Sequence, residues 1–538
     1  MIWLLACTTS PPTERVMPER PLVPLEAGLL LRRVHLDLAG TLPSLAELEA
    51  VRSGQETVDL HVDALLDSER FSSRFQELLA EQWLTQTDRT NITVRELGLD
   101  DELQPTLARS VGTEPLALMA EVADQELAWT ETVTADWTMA NSLLLELWPL
   151  EPVDRSSTGI DDWVPARYTD GRPPAGVAAT NGLWWRYSSN PNNYNRSRAA
   201  ALSRLLLCED YLLREVSFDA EKLADLDPLV QATKEVESCR SCHVTLDPIA
   251  AAFFGFWSFD LYDPIEASRY HPEREHLGRH FLETEPAWFG IPAEDPGALL
   301  AELSADPRFA SCAVERTARA YWRRAPELHD FETLAVLEQD FLEEGQSMKA
   351  LIRRVLSTPE YRAGELMDNA TPAEDSTRTL RVMSPDQLAA TTEQRTGFRW
   401  RRSNADPMWN DEHGLRTLAG GVDGIQVSEA QQDPSLSRTL VIKRLAQGAA
   451  DFVVEHDTAN PNEPTLLQAE WLLIGSEDPS FEPALQELAL LLWSQTMSPE
   501  TAVEYAAFFT EIEQASDRQQ AWTSLVAALI RDPKFWSY

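Results

Sequence analysis

A mainly α-helical, multidomain protein with long irregular connections and few or no strands is what this sequence predicts, on three observations. Apolar residues recur at three- and four-residue spacing through most of the chain, the period of a helix with one face in a core. Glycine is scarce, 22 residues in 538, about half the usual share, which disfavours sheet-rich and glycine-loop architectures. Hydrophobic residues make up 43% and charged residues 25%, the balance of a globular chain, and the length suits about three or four domains.

The chain opens with Met1-Ile2-Trp3-Leu4-Leu5-Ala6-Cys7 and then the polar run Thr8-Thr9-Ser10-Pro11-Pro12. This is similar to the end of a bacterial lipoprotein signal, in which a cysteine after small and apolar residues is lipidated, although the positive start and full apolar run are missing or cut short. Residues 1–24 are read as a lipoprotein-like signal end and flexible tether, with Cys7 as the lipidation site; the competing reading is a frayed terminus with a chance cysteine. No run of about 18 apolar residues occurs, so any membrane attachment is expected only through the lipid. A lipidated Cys7 places the chain in the bacterial cell envelope, facing the periplasm or the outside, where disulfides persist.

Residues 25–150 read as a helical amino-terminal domain. Ser44-Leu45-Ala46-Glu47 behind Pro43 is a capping box, in which the serine and glutamate side chains each satisfy a backbone donor at a helix start, and a helix to Arg52 follows. Leu60, Ala64, Leu65, Phe71, Phe75, Leu78, Leu79 and Trp83 keep helical spacing on either side of a break at Asp67-Ser68. A further helical stretch is expected from Pro115 to Leu150. Residues 151–196, with Pro152, Gly159, Pro165, Gly171, Pro173 and Pro174, read as a turn-rich surface connection. Residues 197–362 read as a cytochrome-c-like helical domain whose first helix runs from about Ser197 to Glu215. Residues 363–376, centred on Asp368-Asn369-Ala370-Thr371-Pro372, read as a linker, and 377–538 as a helical carboxyl-terminal domain. That last region shares a pattern with 300–362: Trp322 and the helices to Tyr361 look like Trp493 and the helices to Phe535, which reads as an old duplication.

Lys+Arg 46 against Asp+Glu 87 leaves a net charge of -41, which repels DNA, RNA and anionic head groups, so no nucleic-acid partner is expected. Among 87 acids, carboxylate pairs single out no acid–base chemistry. Gly420-Gly421-Val422-Asp423-Gly424 lacks the lysine and hydroxyl of a phosphate loop, and neither Gly-x-Ser-x-Gly nor His-Glu-x-x-His occurs.

Cys239-Arg240-Ser241-Cys242-His243 is the sharp motif. Two thiols three positions apart on a helical turn can each add across a vinyl group of a haem, with the adjacent histidine as axial iron ligand. The apolar run Ile249-Ala250-Ala251-Ala252-Phe253-Phe254-Gly255-Phe256-Trp257 offers a surface to pack on the macrocycle, or else is core. Two other readings of the cysteines stay open: zinc with a fourth ligand from elsewhere, and a structural or redox pair. The sixth iron ligand is not assigned; Met348, Met367, Met383, Met408 and Met497 lie downstream, and His271, His276 and His280 lie nearer in sequence. With Cys239 and Cys242 on haem and Cys7 on lipid, Cys208 and Cys312 remain as a disulfide candidate, or as buried free thiols.

Arg32-Arg33-Val34-His35-Leu36-Asp37-Leu38-Ala39-Gly40-Thr41-Leu42-Pro43, Thr132 to Asn141, and Cys239 to Pro248 with its C-x-x-C-H-x-x-x-D-P pattern resemble segments of the planctomycete-type cytochrome c domain families, multidomain bacterial envelope proteins. Asp306-Pro307-Arg308-Phe309 with Cys312, and Ser357 to Tyr361, resemble the module that follows. The landmarks span about residues 30 to 362. The resemblance implies a c-type haem-binding envelope protein. The chain departs from the family in Ala251-Ala252-Phe253-Phe254-Gly255-Phe256, where a Gly-Phe then Glu-x-Phe-Asp pattern is more usual.

The function expected is that of a cell-envelope lipoprotein with one covalent haem c, moving electrons to a redox partner or envelope protein that the sequence does not name. The alternative is a surface scaffold in which the cysteine motif is structural. An open haem site doing peroxidase-type chemistry is a third reading, and whether the protein is an enzyme stays undecided.

Overall fold

The computed structural model describes residues 17, 21–88, 92–214, 233, 236–260, 263–367, 379–401, 406–411 and 414–538. Within them lie 24 α-helices and seven strands of two to five residues. The protein is mainly α-helical. Cys7, residues 368–376 of the expected linker and the first two residues of the expected carboxyl-terminal domain fall outside the described residues.

Strand β1 (Leu22–Pro24) leads into α1 (Ala27–Ala39), whose residues from Leu30 to Ala39 are all buried. A helix enclosed on every face must match its own polar groups. Leu30, Leu31, Val34 and Leu38 enter one apolar cluster, while Leu36 enters a second. Arg32 donates to the carbonyls of Trp493 and Phe535, and Arg33 to those of Tyr361, Ala363 and Thr379. Asp37 accepts from Arg381, Tyr361 and Tyr538. The Arg32-Arg33…Asp37 segment is thus a structural lock between distant parts of the chain.

Ser44 and Glu47 form the expected capping box of α2 (Leu45–Arg52). Helices α3 (Val58–Leu66) and α4 (Glu69–Trp83) follow, broken at Asp67-Ser68. The region after them differs from expectation. Helix α5 (Gln104–Asp124) runs straight through Pro115, and Pro115 has no N–H for the Val111 carbonyl. The backbone of α8 (below) packs there instead: a Cβ on Gly182 would lie 2.0 Å from that oxygen. Beyond α5 the chain breaks into α6 (Glu131–Thr134), β2 (Thr138–Ala140), α7 (Ser142–Leu147), β3 (Leu150–Pro152) and β4 (Val164–Tyr168), and β4 pairs antiparallel with both β2 and β3.

Residues 151–196 are therefore only partly a surface connection. Val164 and Ala166 of β4 are buried, as are Leu183 and Trp184 of α8 (Asn181–Arg186). Helix α9 (Arg196–Leu207) stops at Cys208, whose φ of +54° turns the chain left-handed, well short of Glu215. Next come α10 (Glu237–Ala251), α11 (Pro264–Ala267), α12 (Leu277–Leu282) and the hairpin of β5 (Ala287–Trp288) with β6 (Ile291–Pro292). Helices α13 (Pro296–Ala305), α14 (Pro307–Trp322), α15 (Phe331–Glu343), α16 (Met348–Ser357) and α17 (Pro359–Arg362) complete this part. One apolar cluster takes residues from Leu30 to Tyr361, so the segments expected as separate domains at 25–150 and 197–362 share a core. The start of the expected linker is a strand: β7 (Ala363–Leu366) pairs with β1.

Helices α18 (Pro385–Thr396), α19 (Leu415–Leu418), α20 (Leu436–Ala459), α21 (Phe481–Trp493), α22 (Pro499–Ala515), α23 (Arg518–Arg531) and α24 (Pro533–Trp536) enclose the second cluster. Runs α14–α17 and α21–α24 are built alike. Each opens with a helix whose last residue is a buried tryptophan, followed by a left-handed residue, Arg323 or Ser494. The Trp322 indole donates to Thr358 Oγ1 at 3.1 Å and the Trp493 indole to the Leu529 carbonyl at 3.0 Å, 36 residues on in both cases. Each run closes with a proline-started helix that buries Tyr361 or Phe535.

Candidate functional site

Cys239, Cys242 and His243 occupy the first turns of α10, where a three-residue step puts both thiols on one side. Both thiols are free and half-buried. They line a cleft of about 550 Å³ together with His243, Leu246, Tyr187, Arg196, Ala200, Arg204 and Tyr211. That volume lies within the range of sites for cofactor-sized ligands. Helix α9 forms the facing wall, with Ala200 and Ala201 giving the apolar part and Arg196, Ser197 and Arg204 the polar part.

The histidine is held from behind. Its Nδ1 lies 2.8 Å from Asp247 Oδ1, one helical turn on. Arg196, at the start of α9, grips the same carboxylate through Nε at 2.7 Å and Nη2 at 2.9 Å. Burial alone raises the Asp247 pKa, but the hydrogen bonds from Arg196 and His243 outweigh it and hold the carboxyl below its ordinary value. An ionised Asp247 keeps the proton on Nδ1 and leaves Nε2 as the ring nitrogen with a free lone pair, the usual way a protein orients a histidine ligand. Near the thiols, Arg214 Nη1 stands 4.0 Å from Cys242 Sγ and pairs with Glu209. The Tyr211 hydroxyl lies 2.9 Å from Thr245 Oγ1, tying the end of α9 to α10.

The remaining sequence-derived residues fall elsewhere. Cys208 and Cys312 are joined in a disulfide with Cα atoms 5.3 Å apart, linking α9 to α14. The aromatic run is core and does not face the cleft. Phe253 packs on Trp184 with ring centroids 5.2 Å apart, Phe254 stacks on Trp257 at 5.2 Å, and Phe256 meets Tyr270 at 4.8 Å. The reason is geometric: α10 ends at Ala251 and the chain turns inward before these rings. None of the weighed sixth ligands lines the cleft. Met348 belongs to the first core, Met383, Met408 and Met497 to the second, and Met367 is exposed.

Arg196 is the working residue that sequence reasoning passed over, and Asp247, quoted within the C-x-x-C-H-x-x-x-D-P pattern, had been given no role. Asp247 carried a signal, its i+4 spacing from His243; Arg196 carried none. The thiols and His243 do not converge as one metal site would require. Among the described residues, a single group of three or more His, Cys, Asp and Glu residues has ligand atoms all within 4.8 Å of one another, and it is His35, Glu47 and His61. A second cleft, about 620 Å³, is lined by Glu77, Arg109, Asp386 and Trp409. Two of its carboxylates are paired, Asp386 with Arg416 at 2.8 Å and Glu77 with Arg74 at 2.6 Å, and Arg109 lies over the Trp409 ring, as expected where two cores meet.

No protein-family model, curated protein or solved structure matches the chain. Among the described residues, no helix is long and apolar enough to cross a membrane.

Proposed function

We propose that the chain is an electron-carrying protein of the bacterial cell envelope that holds one haem c, with Cys239 and Cys242 as thioether donors and His243 as axial iron ligand. The observation that carries this reading is the setting of His243: an imidazole fixed by Asp247 and Arg196, beside two free thiols, on the wall of a cofactor-sized cleft. Each thiol would add across a vinyl group, breaking S–H and forming S–C and C–H, with no net oxidation. The bound group would supply one-electron chemistry at iron. The chain's own part is to orient the imidazole through Asp247, to place both sulfurs on one helix face, and to wall the cleft with α9.

The resemblance to planctomycete-type cytochrome c domains supports the same reading, and so does the signal-like Cys7, through which the chain would be lipid-anchored. Its partner would be a redox protein of that compartment, met through a surface whose negative charge disfavours nucleic acid. The competing reading is a surface scaffold in which the two thiols are structural.

A pyridine haemochrome spectrum on protein produced with haem-maturation machinery separates the two. A covalent c-type band that vanishes in Cys239→Ser/Cys242→Ser is expected; its absence from the unaltered chain overturns the haem reading in favour of the scaffold.

A further inference from the structure

His35, Glu47 and His61 come from three successive helices, α1, α2 and α3, and converge away from the cysteine cleft. His35 Nε2 lies 3.8 Å from Glu47 Oε1, and His61 Nδ1 lies 4.0 Å from the same oxygen. The two imidazoles stand 6.0 Å apart, tilted by 49°. His35 is 5% exposed and His61 8%, a depth at which polar atoms are nearly always partnered. Yet neither His35 Nε2, 3.8 Å from the Glu47 carboxylate, nor His61 Nε2 has a hydrogen-bond partner.

Glu47 is fixed by the capping box. Its Oε2 accepts the Ser44 N–H at 2.7 Å, and the Ser44 hydroxyl returns to the Glu47 N–H at 3.2 Å. One carboxylate oxygen is thus committed to holding α2, and the other faces both rings. Behind His61, the far ring nitrogen Nε2 stands 2.9 Å from Glu56 Oε2. That contact has ion-pair distance without hydrogen-bond alignment; a carboxylate so placed can support a metal-ligating histidine once the ring turns to align with it, fixing the tautomer and raising ligand basicity.

We infer that His35 Nε2, His61 Nδ1 and Glu47 Oε1 form a binding site for one divalent transition-metal ion of the zinc class, with Glu56 supporting His61. Two imidazoles and one carboxylate suit such an ion, and three protein ligands leave a fourth position for water or a substrate oxygen. In tetrahedral zinc the ligand atoms lie about 3.3 Å apart, given bonds of about 2.0 Å. The observed gaps of 3.8 and 4.0 Å close with small side-chain rotations. The charges facing the site are Glu47, Glu56 and Arg395, whose Nη2 donates to the Pro43 carbonyl at 2.5 Å, so two carboxylates offset one guanidinium. Glu47 is 38% exposed, which gives an ion a way in.

The test uses the full chain, stripped with chelator and titrated with Zn²⁺ by calorimetry and with Co²⁺ by visible absorption. One equivalent is expected at micromolar affinity or better, with the ligand-field band of four-coordinate cobalt. Glu47→Gln keeps a capping-box residue at that position while removing the ligand charge; it is expected to fold, to lose the cobalt band, and to show no zinc-induced rise in Tm. His61→Gln should weaken zinc by about 100-fold, and Glu56→Gln by about tenfold with unchanged stoichiometry. Cys239→Ser/Cys242→Ser should bind as the parent does. The site is overturned by a chain that takes up neither ion at about 100 μM, by a Glu47→Gln variant that binds like the parent, or by binding that disappears with the cysteines.

Discussion

Arg32 and Arg33 are neighbours on one buried helix, yet each closes a different four-helix run. Arg33 donates to the carbonyls of Tyr361 and Ala363, where the first run ends, and Arg32 donates to the carbonyls of Trp493 and Phe535 in the second. Successive side chains on a helix point about 100° apart, so an Arg-Arg pair can serve two cores at once. Among the described residues no carboxylate pairs with Arg32, and burial lowers it to about 9.

Arg32→Met should cost about 3 kcal/mol or more, since it strands two buried carbonyls that now accept from a charged donor. Urea unfolding followed by intrinsic tryptophan fluorescence measures it. An effect below about 1 kcal/mol would mean that the carbonyls find other donors.

The Cys208–Cys312 bridge closes a loop of 104 residues. Replacing both by serine is expected to lower stability by about 2–5 kcal/mol. Denaturant curves with and without reductant check it: the parent should lose stability on reduction, and the double serine variant should be indifferent to it.

Asp247→Asn should act in two ways that separate experimentally. Arg196 loses its ion-pair partner, which is expected to cost about 1–3 kcal/mol in thermal or chemical unfolding. If haem is bound, the imidazole of His243 also loses the carboxylate that gives it anionic character and favours ferric iron. The reduction potential should then rise, by on the order of tens of millivolts, with the thioether bonds intact. Redox titration of the purified holoprotein reads the second effect.

Asp457 near the end of α20 accepts from the backbone N–H groups of Thr465, Leu466 and Leu467 at 2.7, 3.0 and 2.8 Å, and from the Thr465 hydroxyl at 2.9 Å. Burial works against its charge, but these bonds hold its pKa below the ordinary value of 3.8. A depressed carboxylate adds stability that is fully present above the unfolded pKa of about 4 and is lost as pH falls through the lower folded value. Asp457→Asn should cost about 2 kcal/mol at pH 7, because an amide nitrogen would face N–H donors. Its stability should also fall less than that of the parent between about pH 4 and pH 2. Equilibrium denaturation across that window tests both.

What could be read from the sequence was local. The capping box of α2 and the break at Asp67-Ser68 needed only neighbouring residues, and both are where the pattern put them. Pro115 misled for the opposite reason. Its meaning depends on Gly182, 67 positions away, whose missing side chain lets a second backbone approach the unpaired carbonyl. The sharing of one core by residues on both sides of 151–196 rests on side-chain packing over hundreds of positions, which composition shifts cannot report. At the cleft, the thiols and histidine announced themselves by spacing, whereas Arg196 reaches Asp247 across 51 residues. The aromatic run was legible as apolar, but which surface it served depended on where α10 ends.

The clamp between Cys208 and Cys312 fixes more than a loop, since Cys208 ends the helix that walls the cleft. The proposed haem attachment would need Cys239 and Cys242 reduced, while the wall beside them holds its own sulfurs in a disulfide. On that proposal, opposite redox states would have to persist within one small neighbourhood. Accessibility separates the pairs in part: Cys312 is 2% exposed and Cys208 half-buried, whereas the two motif thiols line the open cleft. A reductant too bulky to enter the packed interior would open one pair and spare the other, and maturation would then proceed without loosening its own mould.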